Sequence, residues 1–526
     1  MKKPDVVFIA MREYDNLGIG YMAAILSEAG FETDIIDASN KKEEILEKLN
    51  DLNPLIVGFS VIYQYHIAQF TKLIRFLRQS GIKSHFTAGG HYASLKYEEL
   101  LKLAPSLDSV VRFEGEYTIR ELTKCLSNGN DWKNIESLAF VYQGKIIANS
   151  LRPLEKDLDR FPLPIRRILP EYAFGKKFAT MLGGRGCIHN CSFCNLKEFY
   201  RPFPGSVKRT RKPEMVVNEM KYLFREKGCS IFLFQDDDFP VKSNNGSGWI
   251  DKFCSELKSK GLSDKIMWKI NCRPDEIEEK SFAMMKNNGL FLVFIGIEDG
   301  TDTGLKKLNK NMTAARCKKG IDILKNLEIG FDFGFMLFQP DTNFRSLNEN
   351  LNFLQKLCGD GFSPVSYLKM MPYYATRIEK ELLAEGRIKG PPGFRDYDFN
   401  DESMNHYFDF ITSCFIEWFR QTDGVANISK WARNYIAVCS HYFELTPALP
   451  ILSGELNKII SESNMFFIDN MKKLAAIFES GKYKNEKLKE LKSYKRNIKL
   501  KHENIKKRIN RNMSNLLVLV ELQQHL

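Results

Sequence analysis

No uncharged apolar stretch in this 526-residue chain approaches the roughly 20 residues that span a bilayer, and the C-terminal NLLVLVELQQHL is too short to do so. A membrane partner is therefore not expected. The N-terminal apolar run meets Arg12, Glu13 and Asp15 instead of a small-residue cleavage site, so it reads as a first strand, and the protein is expected in the cytoplasm. A repeat of solenoid period is also absent. The 11 cysteines lack the spacing of a secreted disulfide framework: they are scattered apart from one tight group, which in a reducing compartment suggests a metal. The net charge of +12 says little about partners, because much of the excess lies in one segment, Lys482 to Arg511. Aromatic residues are not regularly interleaved with those lysines, which disfavours nucleic acid.

The length implies two or three domains. Residues 5–12, 33–37, 55–60, 84–88 and 109–112 are short β-rich runs, most of them separated by helical patterns such as YMAAILSEAG and IAQFTKLIRFLRQSG. That alternation predicts a doubly wound, Rossmann-like parallel sheet over residues 1–135. Residues 136–175 read as a linker, with a hairpin around Gly144 in LAFVYQGKIIAN and an extended RFPLPIRRILP. Over 176–390 the strand-then-helix pattern recurs in FATMLGG, SIFLFQDDD, IMWKINCR, FLVFIGIED, FDFGFMLF and VSYLKMMP. Six such units predict a partial (β/α)6 barrel with its chemistry at the carboxyl ends of the strands. Residues 391–526 turn helical and end in a basic helix carrying a stripe of Leu488, Leu491, Tyr494, Ile498, Ile505 and Ile509. The class is α/β with a helical C-terminal domain.

The tight cysteine group is Cys187, Cys191 and Cys194, in GGRGCIHNCSFC directly after the first barrel strand. Three thiolates satisfy three irons of a cubane and leave the fourth open to bind a small molecule. Gly183, Gly184 and Gly186 allow the sharp turn that convergence requires. Structural zinc is the rival reading, and it needs a fourth nitrogen or sulfur ligand, for which His189 is the nearby candidate.

The pattern C-x3-C-x-aromatic-C after such a strand resembles the signature of radical S-adenosylmethionine (SAM) enzymes. The resemblance implies a 4Fe-4S cluster held by Cys187, Cys191 and Cys194, with SAM on the open iron and Phe193 beside its adenine. It further places Asp236, Asp237 and Asp238 near the SAM amino end and Arg273 near its carboxylate or ribose. Glu298, in GIEDGTDTGLKKLNKNMT, falls in a stretch similar to the family's G-I-E-[SD]-G motif. Each has a plain alternative. An acidic run is usually solvated, and Arg273 has Asp275 two residues on as a partner.

The N-terminal domain has no G-x-G-x-x-G after its first strand, which argues against a dinucleotide site. Its ordered set NLGIGYMAAILSEAGFETDIID, LIVGFSV, FTAGGHYAS and VVRFEGEYTIREL resembles the cobalamin-binding (B12-binding) domain fused to one class of radical SAM enzymes. By that resemblance Gly18, Gly20, Ser60, Gly89, Gly90, Glu114 and Gly115 would line cobalamin. The D-x-H-x-x-G loop that supplies a cobalt-ligating histidine elsewhere is absent, and Tyr63, Tyr65 and His66 are the neighbours to consider. The family implies a cobalamin-dependent methyltransferase acting on an unactivated carbon or phosphorus centre of a natural product or peptide, with a reducing donor such as flavodoxin or ferredoxin. An oxidative cyclase or rearrangement enzyme is the alternative, and a non-catalytic cobalamin sensor a further one, disfavoured by the barrel cysteines. Where the subclass carries proline-glycine-threonine, this chain has Pro372-Tyr373-Tyr374-Ala375-Thr376. No residue of the chain is assigned from sequence as the catalytic group.

Overall fold

The computed structural model describes residues 3–11, 16–166, 171–173, 175–242, 248–443, 448–481 and 488–524. Arg12, Glu13, Asp15 and Lys482 lie outside the described residues. The chain forms two compact units, neither contiguous in sequence: Met1–Leu169 with Gly184–Met215 and Met371–Tyr397, and Pro170–Gly183 with Val216–Met370 and Asp398–Leu526.

In the first unit the β-rich runs become β1 (Val6–Ala10), β2 (Thr33–Asp37), β3 (Ile56–Ser60), β4 (His85–Gly89) and β5 (Ser109–Val111), paired in parallel in the order β2-β1-β3-β4-β5. Val7 and Ile9 join one apolar cluster while Val6, Phe8 and Ala10 join another, because successive side chains point to opposite faces. Burial on both faces explains why these strands read as unbroken apolar runs. The strand order reverses between β1 and β3, and in open sheets of this kind ligands bind outside the carboxyl ends at that switch point. A hairpin of β6 (Leu138–Tyr142) and β7 (Lys145–Ala148) extends this sheet antiparallel to β5. It turns at Gln143 (φ 49°) and Gly144 (φ 74°), the left-handed pair that matches strand twist in a two-residue loop.

The second unit opens with β8 (Glu171–Ala173) and β9 (Lys176–Met181). The chain then enters the first unit, where β10 (Gly184–Arg185) and β11 (Arg209–Thr210) make a short antiparallel pair. It returns as β12 (Cys229–Phe234), β13 (Met267–Cys272), β14 (Leu290–Glu298) and β15 (Gly330–Phe335). The sheet order is β15-β14-β13-β12-β9-β8, parallel throughout except at β8. The sixth expected segment, VSYLKMMP, contributes one parallel bridge between Lys369 and Phe338. It also donates Leu368 N–H to the Phe335 carbonyl (2.8 Å) and Met370 N–H to that of Phe338 (2.8 Å). Pro364 and Pro372, which lack N–H groups, bracket it and keep the pairing short.

The C-terminal part is helical: Glu402–Phe419, Val425–Tyr442, Ala448–Glu479 and Leu488–Gln524. On the last of these Leu491, Ile498, Ile505 and Ile509 are buried, while Lys501 and Arg508 pair with Glu462. The basic helix therefore packs by its apolar stripe. Among the described residues no helix is long and apolar enough to cross a membrane.

Candidate active site

The cysteine loop grows out of a turn that only glycine permits. Gly186 has φ 85°, and a Cβ there would lie 2.2 Å from the Val207 carbonyl oxygen; at Gly184 it would lie 2.7 Å from that of Arg209. These close approaches seat β10 on β11. Cys194 N–H then donates to the Cys191 carbonyl (3.2 Å), and the short helix Leu196–Tyr200 follows. Cys187, Cys191 and Cys194 are part-exposed and form no disulfide. By contrast Cys254, Cys317 and Cys439 are buried, and burial pushes the first two up to about 12 and the third to about 11, so they act as small apolar groups. Three accessible thiols on one tight loop are the donor set a three-cysteine cluster requires.

The same unit ties this loop to the carboxyl edge of the first sheet. Arg209 grips the Glu114 carboxylate with both terminal nitrogens, one at 3.0 Å, and also donates to the Glu155 carbonyl (2.7 Å). Arg185 pairs with Glu116 (2.7 Å) and reaches Glu114 (3.7 Å) between the rings of Tyr21 and Phe161. Although burial opposes its charge, Glu116 and Glu114 hold its pKa above the usual arginine value. Phe199 packs on His91 and Phe113 at ring distances of 4.4 and 5.1 Å. Tyr374 donates its hydroxyl to the Ile62 carbonyl (2.8 Å) and its N–H to Gln64 (3.0 Å). Tyr373 beside it is pushed up by burial and then by the neighbouring Tyr63 and Cys194. The Pro-Tyr-Tyr-Ala-Thr segment thus sits against both the cysteine loop and the residues after β3.

The remaining residues expected to line cobalamin lie along that edge. Gly18 is exposed in the first turn of the helix Leu17–Glu28, Ser60 and Gly89 end β3 and β4, and Gly115 precedes the helix Glu116–Ser127. Gly20 and Gly90 also have packing reasons: a Cβ at Gly20 would meet the Ile165 oxygen at 3.0 Å, and one at Gly90 (φ 110°) the Val61 oxygen at 2.8 Å. A Cβ at Gly89 would make an ordinary contact with the Val111 carbonyl oxygen at 3.5 Å. Tyr63 is exposed and stacks on Tyr65, which contacts His66. Phe193 lies two residues beyond Cys191 on the cysteine loop.

In the second unit Asp236, Asp237 and Asp238 follow β12, the first and third buried and the second exposed. Asp236 accepts the Gly183 N–H with both oxygens (3.1 and 3.0 Å), tying the ends of β9 and β12 together. Arg273 follows β13 and does pair with Asp275 (2.9 Å). It also donates to the Lys310 carbonyl. Glu298 ends β14 at φ 71°, after a bulge, with Lys310 at 3.8 Å. Burial raises its carboxyl above the usual range, against the pull of Lys310 and Arg273. The loop behind it is clamped by Asp299, which accepts from Thr301 N–H (2.8 Å) and Gln339 (2.6 Å). Gly304 leaves room for that carboxylate, since a Cβ there would overlap it at 2.2 Å.

Three residues that sequence reasoning missed join this site. Lys269 and Asn271 share a face of β13, Lys269 donating to Asn271, and burial lowers the lysine to about 8 despite Asp332 and Asp236 nearby. Lys310 is buried and donates to the Gly296 carbonyl (3.0 Å). The signal for the first pair was the polar alternation Lys269, Asn271, Arg273 within IMWKINCR. For Lys310, inside a lysine-rich loop, no local signal existed.

Comparison with known proteins agrees with this architecture. The B12 binding domain family matches residues 6–123 and the Radical SAM superfamily matches residues 181–354, together more than half of the chain. An uncharacterized methyltransferase of Pyrococcus horikoshii is 28% identical over 384 residues, covering 71% of this chain and 79% of the relative. The anaerobic magnesium-protoporphyrin IX monomethyl ester cyclase of Cereibacter sphaeroides is 27% identical over 357 residues, 63% of this chain but only 55% of the cyclase. Among solved structures, the cobalamin-dependent S-adenosylmethionine radical enzyme OxsB with aqua-cobalamin bound shares the fold. Its TM-score is 0.71 at 18% identity, with 97% of this chain and 80% of that one covered. The chain belongs to the radical SAM enzymes that carry a cobalamin-binding domain. Its cofactors are accordingly SAM, a 4Fe-4S cluster and cobalamin.

Proposed function

We propose that this enzyme is a cobalamin-dependent methyltransferase acting on an unactivated carbon or phosphorus centre of a small natural product or peptide. The observation that carries the reading is the junction within the first unit, where Arg209 and Arg185 anchor the cysteine loop on Glu114 and Glu116 and Tyr373 neighbours both Cys194 and Tyr63. When bound, the reduced cluster and SAM supply a 5′-deoxyadenosyl radical that abstracts hydrogen, and cobalamin carries the methyl group. In this reading Cys187, Cys191 and Cys194 hold the cluster, and Phe193, Asp236, Asp237, Asp238, Arg273 and Glu298 surround SAM. Gly18, Gly20, Ser60, Gly89, Gly90 and Gly115 present backbone to cobalamin, whereas Glu114 acts on the cysteine loop through its arginines. The methyltransferase name and long coverage of the Pyrococcus relative support methyl transfer. A second reading, oxidative ring closure, draws on the cyclase relative and on the Tyr373-Tyr374 departure. A flavodoxin- or ferredoxin-type donor and a cytoplasmic setting go with either.

The test is anaerobic reconstitution with iron, sulfide and hydroxocobalamin, followed by reaction with SAM under a strong reductant beside the Cys187→Ala, Cys191→Ala, Cys194→Ala variant. Cysteine-dependent release of both S-adenosylhomocysteine and 5′-deoxyadenosine, with retained corrinoid, is the expected result. Release of 5′-deoxyadenosine alone would select ring closure, and loss of corrinoid would leave a radical enzyme but remove methyl transfer through cobalamin.

A further inference from the structure

The second sheet also borders a cavity at its other end. Met267, Leu290 and Gly330 are the first residues of β13, β14 and β15, and they border a cavity of about 460 Å³ on the amino side of the sheet. The acidic run after β12, Arg273 and Glu298 all lie at the opposite, carboxyl ends, a strand length of roughly 20 Å away. The helices Val425–Tyr442 and Ala448–Glu479 close the cavity with Arg433, His441, Ser453 and Asn457. Its size falls within the range of pockets that take small ligands.

The ionisable residues lining it are Arg433, Lys286 and His441, with Glu328 beside Lys286 as the acidic one. Among the described residues the Arg433 guanidinium makes no hydrogen bond and no ion pair; its one close partner is the ring of Phe362, 4.8 Å away. Asp332 and Asp360 act on it only at a distance, and Asp360 is itself paired with Lys325 (2.5 Å). Burial accordingly lowers the arginine to about 10. His441 Nε2 is buried without a hydrogen-bond partner in the same wall. Lys286 stands exposed at the rim, donating to the Glu328 carbonyl (3.1 Å). Arg433 is half-buried, its guanidinium has unused donors among the described residues, and a ligand oxyanion is the group whose geometry its fork matches.

We propose that this cavity is a second ligand site that binds a small organic oxyanion, its carboxylate or phosphate on Arg433 and its apolar body against Phe291, Phe362 and Leu456. Asn434, Asn457 and Ser453 supply further polar contacts around the head group, and the rim lysine draws anions in. The site sits under the strands whose far ends carry the SAM-site candidates, so occupancy bears on the sheet and not on the cofactors directly.

The test is calorimetric titration of the full chain, cluster reconstituted, with sodium benzoate and separately with phenyl phosphate. We expect saturable one-site binding of at least one probe, unchanged in the triple cysteine-to-alanine variant and weakened about tenfold or more in Arg433→Gln. Ser453→Glu, which puts a carboxylate in the cavity, guards against misfolding of the first variant and should abolish binding with an unaltered circular dichroism spectrum. Preference for benzoate or for phenyl phosphate assigns the head group. No saturation by either probe, retention of affinity in both cavity variants, or loss in the cysteine variant would overturn the proposal.

Discussion

The carboxyl edges of the two parallel sheets are built from opposite materials. Along the first, Gly18, Gly89, Gly90 and Gly115 fall at strand ends and helix starts, and the charges nearby, Glu114 and Glu116, are taken up by Arg209 and Arg185. Along the second, Glu298, Lys310, Arg273 and Lys269 keep ionised groups buried or half-buried inside the sheet's curve. A glycine edge lets a large ligand lie flat on main chain, while an edge of desolvated charge holds a small polar one strongly because few waters remain to compete. The first edge is therefore sensitive to added atoms and to loss of its paired carboxylates, and the second to changes of protonation.

Adding atoms at the cysteine loop should have the largest effect. Gly186→Ala puts a Cβ at positive φ into the Val207 carbonyl, and a loss of about 3–4 kcal/mol is expected together with iron content near that of the cysteine-free variant, read by denaturation and metal analysis. Removing charge from the first unit comes next. Glu114→Gln leaves Arg209 and Arg185 under-compensated, at about 2–3 kcal/mol in urea denaturation. In the second sheet the effect should appear as a pH dependence. Lys269 binds its proton less tightly when folded (about 8) than at its ordinary value of 10.5, so the unfolded chain holds more protons between those values and stability rises with pH across that window. That contribution is lost as pH falls through about 8. Lys269→Met should flatten the rise by on the order of 2 kcal/mol in denaturation series run from pH 7 to 11. The smallest effect marks the baseline: Arg345→Ala, which breaks an exposed pair with Glu349, should change stability by no more than about 0.5 kcal/mol.

The first sheet was legible because strands such as β1 are buried on two faces and announce themselves as apolar runs, the second because its strands carry apolar residues with part-exposed ones between them at short range. The cysteine loop was legible for a related reason, since its ligand types, spacing and glycines lie within one dozen residues. The hairpin at Gly144 was readable as a turn, but its pairing with β5 depends on where a distant strand edge remains open. Arg273 was read with two partners in view, and the one that local sequence could supply, Asp275, is bonded to it.

Elsewhere the partners are far apart in sequence. Glu114 was read as a cofactor residue because it ends a strand, yet its carboxylate is held by Arg209, 95 residues later. Lys269 and Lys310 look like surface lysines in the sequence, and only their enclosure by β14 and β15 perturbs the first and buries the second. The sequence by itself determined the element types, the two parallel sheets and the three-thiol loop, since these follow from short-range periodicity and spacing. Tertiary structure alone decided which charges are paired, which line a cavity with no acceptor among the described residues, as at Arg433, and which segments join the first unit, because solvation and long-range ion pairing depend on what the folded chain brings alongside.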